Sequence, residues 1–338
     1  MLFGLADASE KARRLAGVGI DGVFTFEGPH DPFVPLARVA GEVDVDLMTN
    51  VAIAFARNPM QTAHLANDIQ EIARGRFRLG LGTQIRPAIE KRYGADFDRP
   101  VTRMREFVAA LRAIFACWNE GERLDFRGDF FHHTLMTPIF NPGPNPWGPP
   151  PVYLGALGPR MTEMAAEVAD GLLVMPFNSK RHFEERTLPA VARGLAKAGR
   201  GPEDLAIEPE VIVSCGRDEQ ELSAADAATR TLLGFYGSTP AYRPVLDAEG
   251  WADLQPELNR LSKEGRWDVM AELIDDDILE TIAVRGTPGE VAAEIADRFG
   301  AHAGRVGFYT PYAPADDVLA EIVEALRDAS RQASRLML

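Results

Sequence analysis

The residues best suited to moving protons stand together in Glu27-Gly28-Pro29-His30-Asp31-Pro32-Phe33, where two carboxylates and an imidazole follow the β-branched and aromatic run 23–26. Side chains of this kind, gathered at the end of a buried strand, suit general acid and base chemistry. The plainer reading is that Asp31 and Pro32 only open the next helix, because acidic residues favour helix starts. A second constellation, Gly155-Ala156-Leu157-Gly158-Pro159-Arg160-Met161, follows the run 151–155. Pro159 fits the first position of a helix. The free N–H groups of such a start, with Gly158 allowing close approach and Arg160 adding charge, suit a phosphate; the alternative is a tight turn that holds nothing.

Other chemistries are excluded by what the chain lacks. It contains no G-x-S-x-G elbow, no Walker G-x-x-x-x-G-K-S/T and no H-E-x-x-H. Gly80-Leu81-Gly82 begins like a dinucleotide fingerprint, but Ile85 stands where the third glycine belongs. His132 and His133 have no carboxylate or cysteine at ligand spacing, which favours a rim role over a metal, and no metal is expected. Cys117 and Cys215 lie far apart, against a disulfide framework and consistent with a reducing cytoplasm.

The elements that must position these groups read as an alternation. Apolar runs at 2–5, 23–26, 47–54, 77–82, 151–155, 171–175, 207–214 and 305–310 are separated by helical patterns such as 59–73, 103–118, 159–168 and 288–299. Eight strands alternating with helices predict an α/β fold, a (β/α)8 TIM barrel, over residues 1–338 as one domain. Two segments interrupt it. Residues 119–150 read as a polar hairpin followed by a Pro/Gly-rich link, and 234–275 as a helical, aromatic-rich, lid-like excursion. The aromatics Phe235, Tyr236, Tyr242, Trp251 and Trp267 suit an apolar pocket wall, or equally the packing of the insertion itself.

Composition bounds the partners. With 36 Lys and Arg against 50 Asp and Glu the net charge is -14, and no basic block is present, so nucleic acid is not expected. No run approaches the 18 or so apolar residues of a membrane span and no signal peptide is read, so a cytoplasmic enzyme acting on a small-molecule substrate is expected. The first apolar run is short enough that a natural start a few residues longer is expected.

The order E-G-P-H-D-P-F, T-N-V-A-I-A-F-A-R-N-P, R-G-R-F-R-L-G-L-G-T-Q, P-P-V-Y-L-G-A-L-G-P-R-M and A-D-G-L-L resembles the bacterial luciferase-like monooxygenase superfamily of TIM barrels across nearly the whole chain. F-Y-G-S-T-P-A-Y-R-P-V-L and L-N-R-L-S-K-E-G-R-W further resemble an actinobacterial subgroup of oxidoreductases dependent on the deazaflavin coenzyme F420. The resemblance implies hydride transfer between F420 and a small organic substrate. Its alternatives are an FMN-dependent monooxygenase using dioxygen, or a non-catalytic cofactor-binding barrel. It also implies a homo-oligomer, dimer or tetramer.

The same resemblance implies site residues. A non-prolyl cis peptide beneath the ring would fall at Asn50-Val51, with Ala52 following. Glu27 would hydrogen-bond the ring, Thr83 and Gln84 would face ring or substrate, and Ala156 and Gly158 would hold the phosphate, where the residues themselves already place the charge of Arg160. Many relatives place a histidine directly after the acid, where this chain has Gly28, so His30 becomes the expected proton donor. A glutamate after G-x-G-T marks the sugar-phosphate dehydrogenase branch, and Gln84-Ile85 stands here instead, against that substrate.

Overall fold

A computed structural model describes residues 4–336. Its strands are β1 (Gly22–Thr25), β2 (Asp46–Thr49), β3 (Ala52–Ile53), β4 (Phe77–Gly82), β5 (Phe126–Arg127), β6 (His132–His133), β7 (Val152–Ala156), β8 (Gly171–Val174), β9 (Ala206–Cys215), β10 (Val284–Gly286) and β11 (Gly307–Tyr309). β5 and β6 form an antiparallel hairpin within 119–150. The other nine make one sheet in the order β1-β2-β4-β7-β8-β9-β10, with β3 beside β4 and β11 beside β9.

Every pairing in that sheet is parallel. Parallel strands need crossover connections, and the intervening helices cover the sheet and bury its strands as near-continuous apolar runs. β4 shows the result: five of its six residues are buried. The long β9 pairs in turn with β8, β11 and β10 along its length. Helix Pro59–Ile72 is held at its start by Asn58, whose side chain accepts from the Met60 amide.

The expectation of a closed eight-stranded barrel is met in part. Among the described residues the sheet is parallel and curled but open, with no pairing between β1 and β11. Of the strand expected at 2–5, residues 2 and 3 lie outside the described residues, and Gly4 and Leu5 are not in a strand. The run 47–54 divides into β2 and β3, interrupted at Asn50 and Val51, and ends in the 3-10 turn Ala54–Ala56. β10 was not anticipated; three residues are too few to show a period.

Two apolar cores result. The larger lies between the sheet and its surrounding helices. The second joins Phe177, Ile212 and Leu233 to Leu246, Leu258 and Met270 of the excursion. The helices Arg243–Ala248, Leu254–Lys263 and Trp267–Glu272 thus stand on their own core over the upper half of β9.

Candidate active site

The peptide bond Asn50-Val51 is cis. It lies between β2 and β3, and the neighbouring strands are shaped around it. A Cβ on Gly80 would fall 1.9 Å from the Thr49 carbonyl oxygen, and one on Gly82 would fall 2.6 Å from Val51 Cγ2. Thr49 Oγ1 donates to the Gly80 carbonyl at 2.7 Å and accepts from the Gly80 amide at 2.9 Å. The glycines of G-L-G therefore make room for the β2–β3 shelf, and the missing third glycine has its explanation. Two further bonds tie the shelf to the first strand: the Asn50 amide donates to the Thr25 carbonyl at 2.6 Å, and the Glu27 amide to the Val51 carbonyl at 3.2 Å.

Glu27 is half-buried beside this shelf with both oxygens engaged. Oε2 accepts from the Ile53 amide at 2.8 Å and from Arg57 Nη1; Oε1 accepts from the Tyr93 hydroxyl at 3.1 Å. Arg57 continues to Asp31 Oδ2 at 2.8 Å, while Asp31 Oδ1 accepts from the Phe33 amide at 2.8 Å. Arg57 therefore neutralises both carboxylates of E-G-P-H-D. Burial, and then the Glu27 carboxylate, push the Tyr93 hydroxyl above its ordinary value.

The other expected residues divide. His30 is exposed and has no hydrogen bond among the described residues. Asn50 and Val51 are half-buried and Ala52 is buried, all on the shelf. Thr83 is half-buried; Gln84 is exposed with a positive φ of 59°, and its side-chain oxygen is taken by the Ile85 amide at 2.9 Å. Ala156 closes β7. Gly158 is the N-cap of helix Pro159–Val168 and supplies no capping side chain. Arg160 is exposed, with neither an ion pair nor a hydrogen bond among the described residues. Helix N–H groups without intrahelical partners and an unpaired guanidinium are what a phosphate requires.

Two residues that sequence reasoning passed over belong to the site. Arg57 is one; its partner Glu27 lies thirty positions back, and its sequence neighbours carry no sign of the pairing. The second is Glu210, midway along β9. Asn50 Nδ2 donates to its Oε2 at 3.2 Å, and burial pushes its carboxyl up to about 8. The available signal was Glu208 and Glu210 two apart on one face of an otherwise apolar strand. Below them, Asp46 takes Arg78 at 3.0 Å and Arg305 at 2.7 Å, and Glu208 lies 3.7 Å from Arg78.

Above the shelf, Tyr236 meets Tyr309 edge to face, their ring centroids 6.2 Å apart, and Phe177 packs 6.0 Å from Tyr236. Phe235 packs 5.7 Å from Tyr236 on one side and 6.3 Å from Trp267 on the other, and both Phe235 and Trp267 are exposed. The aromatic excursion thus contributes Tyr236 and Tyr242 to packing about Phe177 and Trp251 to the same core, while Phe235 and Trp267 reach outward to solvent. His132 is exposed and His133 half-buried. Among the described residues no three His, Cys, Asp or Glu gather as a metal site, and no helix is long and apolar enough to cross a membrane.

Comparison with known proteins gives a consistent picture. A family model described as luciferase-like monooxygenase matches residues 3–304. An uncharacterized protein of Mycobacterium tuberculosis is 50% identical over 295 residues, 87% of each chain. The 5,10-methylenetetrahydromethanopterin reductase of Archaeoglobus fulgidus is 30% identical over 277 residues, 80% of this chain and 78% of its own. Among solved structures, the coenzyme F420-dependent tetrahydromethanopterin reductase of Methanopyrus kandleri superposes with a TM-score of 0.79 at 19% identity, covering 96% of each chain. That likeness concerns the fold.

Proposed function

The chain belongs to the luciferase-like monooxygenase family, and from that premise we propose that it is an F420-dependent oxidoreductase that transfers hydride between the deazaflavin and a small organic substrate. The observation that carries this reading is the combination of the Asn50-Val51 shelf with the uncapped helix start at Gly158 and the unpaired Arg160. A planar ring suits the first and a phosphate the second. The name of the Methanopyrus kandleri reductase, which calls it F420-dependent, supports the choice of deazaflavin.

When bound, the deazaflavin supplies the hydride chemistry itself. The chain's part is placement. Asn50, Val51 and Ala52 would support the ring from below, with Thr83 and Gln84 at its edge. Ala156, Gly158 and Arg160 would hold the phosphate by backbone N–H groups and charge. Glu27, clamped by Arg57, the Ile53 amide and Tyr93, would keep the rim of the ring site rigid. His30 would serve a substrate only from the solvent side, given its exposure. A homo-oligomer, dimer or tetramer, remains part of this reading by family likeness, and a cytoplasmic location by the sequence reading.

The family description itself favours a second reading, a monooxygenase that uses reduced FMN and dioxygen. FMN carries a planar ring and a phosphate too, so the same seats would serve. Equilibrium titration of the purified protein with F420 and with FMN separates the two. The proposal expects F420 to bind and FMN to bind more weakly; binding of FMN alone overturns it.

A further inference from the structure

Resting on the cofactor reading above, we propose that Glu210 is the proton-carrying group of this site, a neutral carboxyl at the base of the shelf whose O–H donates to an electron-rich edge of the ring bound over Asn50-Val51. Glu210 sits at the middle of β9, paired in register with Gly307 of β11. Asn50, the first residue of the cis bond, donates its side-chain amide to Oε2 at 3.2 Å. Among the described residues no Lys, Arg or His lies within ion-pair distance of it.

The arginines nearest along the sheet, Arg78 and Arg305, are committed one layer lower. Arg78 is shared by Asp46 and Glu208, and Arg305 is bound by Asp46. On the other side stand Tyr236, from helix Glu219–Gly237, and Tyr309, from β11, both pushed above their ordinary values chiefly by burial. Among the described residues, the groups facing Glu210 are thus one amide and two phenols. Glu210 is half-buried; a carboxylate there would be only partly solvated and, among the described residues, without a cation, so the protonated form is favoured. Burial raises its pKa to about 8.

A neutral carboxyl has one O–H to give, and with Asn50 donating to Oε2 that proton belongs on Oε1. A reduced flavin-type ring is electron-rich and carries acceptor atoms along one edge, so the two are complementary. Once ionised, Glu210 would lose the donor and set a negative charge against the same edge. Affinity for the reduced ring is therefore expected to fall as pH rises above about 8, approaching tenfold per unit.

The experiment has two arms. Isotope-edited NMR of glutamate-labelled protein without cofactor should show one carboxyl titrating near pH 8 that is missing in Glu210→Gln; a Glu210 carboxyl titrating below pH 6 overturns the inference whatever binds. In the second arm, reduced F420 and reduced FMN are titrated anaerobically between pH 6 and 10. The wild type should lose affinity above pH 8. Glu210→Gln, which keeps a neutral donor, should bind within about threefold of wild type at pH 7 and show no such loss. Identical pH profiles for the two proteins overturn the inference. Failure of both cofactors to bind at any pH overturns the cofactor reading instead, and the NMR titration still decides whether Glu210 holds the proton.

Discussion

At the scale of single residues, Arg57 is the group on which the rim depends. Its side chain is 14% exposed and that of Glu27 8%, so the pair lies out of water. Removing one partner of such a pair leaves an uncompensated charge, at a cost of about 3–5 kcal/mol. Arg57→Met should lower the unfolding free energy by that order in urea titrations, and a loss below about 1 kcal/mol would show the pair to be solvent-screened. His182 offers a second test. It is 2% exposed, its Nδ1 lies 2.8 Å from Asn178 Oδ1, and burial lowers its pKa from 6.5 to about 4. The unfolded imidazole takes a proton below pH 6.5, whereas the folded one resists until about 4. Stability is therefore full above pH 6.5 and declines as pH falls from there towards 4, by about 3 kcal/mol in all. His182→Gln should flatten that part of the stability profile; an unchanged slope would place its origin elsewhere.

At the scale of elements, the shelf and the helix start carry the account. Gly80→Ala would drive a methyl group into the Thr49 carbonyl, 1.9 Å from the ideal Cβ, and the obstacle is backbone that cannot swing aside. The expected cost is about 1–3 kcal/mol, with cofactor binding lost before the fold is. Calorimetry paired with a binding titration checks both, and unaltered binding would show that the shelf tolerates displacement. Arg160→Ala should weaken F420 about tenfold or more while leaving the phosphate-free deazaflavin riboside unaffected, since only the phosphate meets that charge. Equal losses for both ligands would move the phosphate away from this helix. Sequence made some of these elements legible and others not. The parallel strands announced themselves as apolar runs, and family resemblance pointed to Asn50-Val51. By contrast, Arg57 and Glu210 owe their roles to partners 30 and 160 positions away, and no local period records such pairings. The carboxylates of E-G-P-H-D read as free proton carriers because their neutralising arginine lies on another strand's end.

At the scale of the whole molecule, two cores divide the labour. The larger supports the sheet, and the smaller holds the excursion over the upper part of β9 through Phe177 and Ile212. The aromatic residues of 234–275 looked alike in sequence, yet packing separates them: Tyr236 turns to Tyr309 and Phe177, while Trp267 stays exposed. Composition could not make that distinction, because it depends on which helix face meets β9. The open, curled sheet likewise could not be told from a closed barrel by counting runs. Shelf and helix start together would form one cofactor seat, and a crystal structure with F420 bound tests that most directly. The ring should lie over Asn50-Val51, with its phosphate within hydrogen-bonding reach of the Gly158–Arg160 backbone. A ring bound away from the shelf, or a phosphate held by other residues, would contradict it.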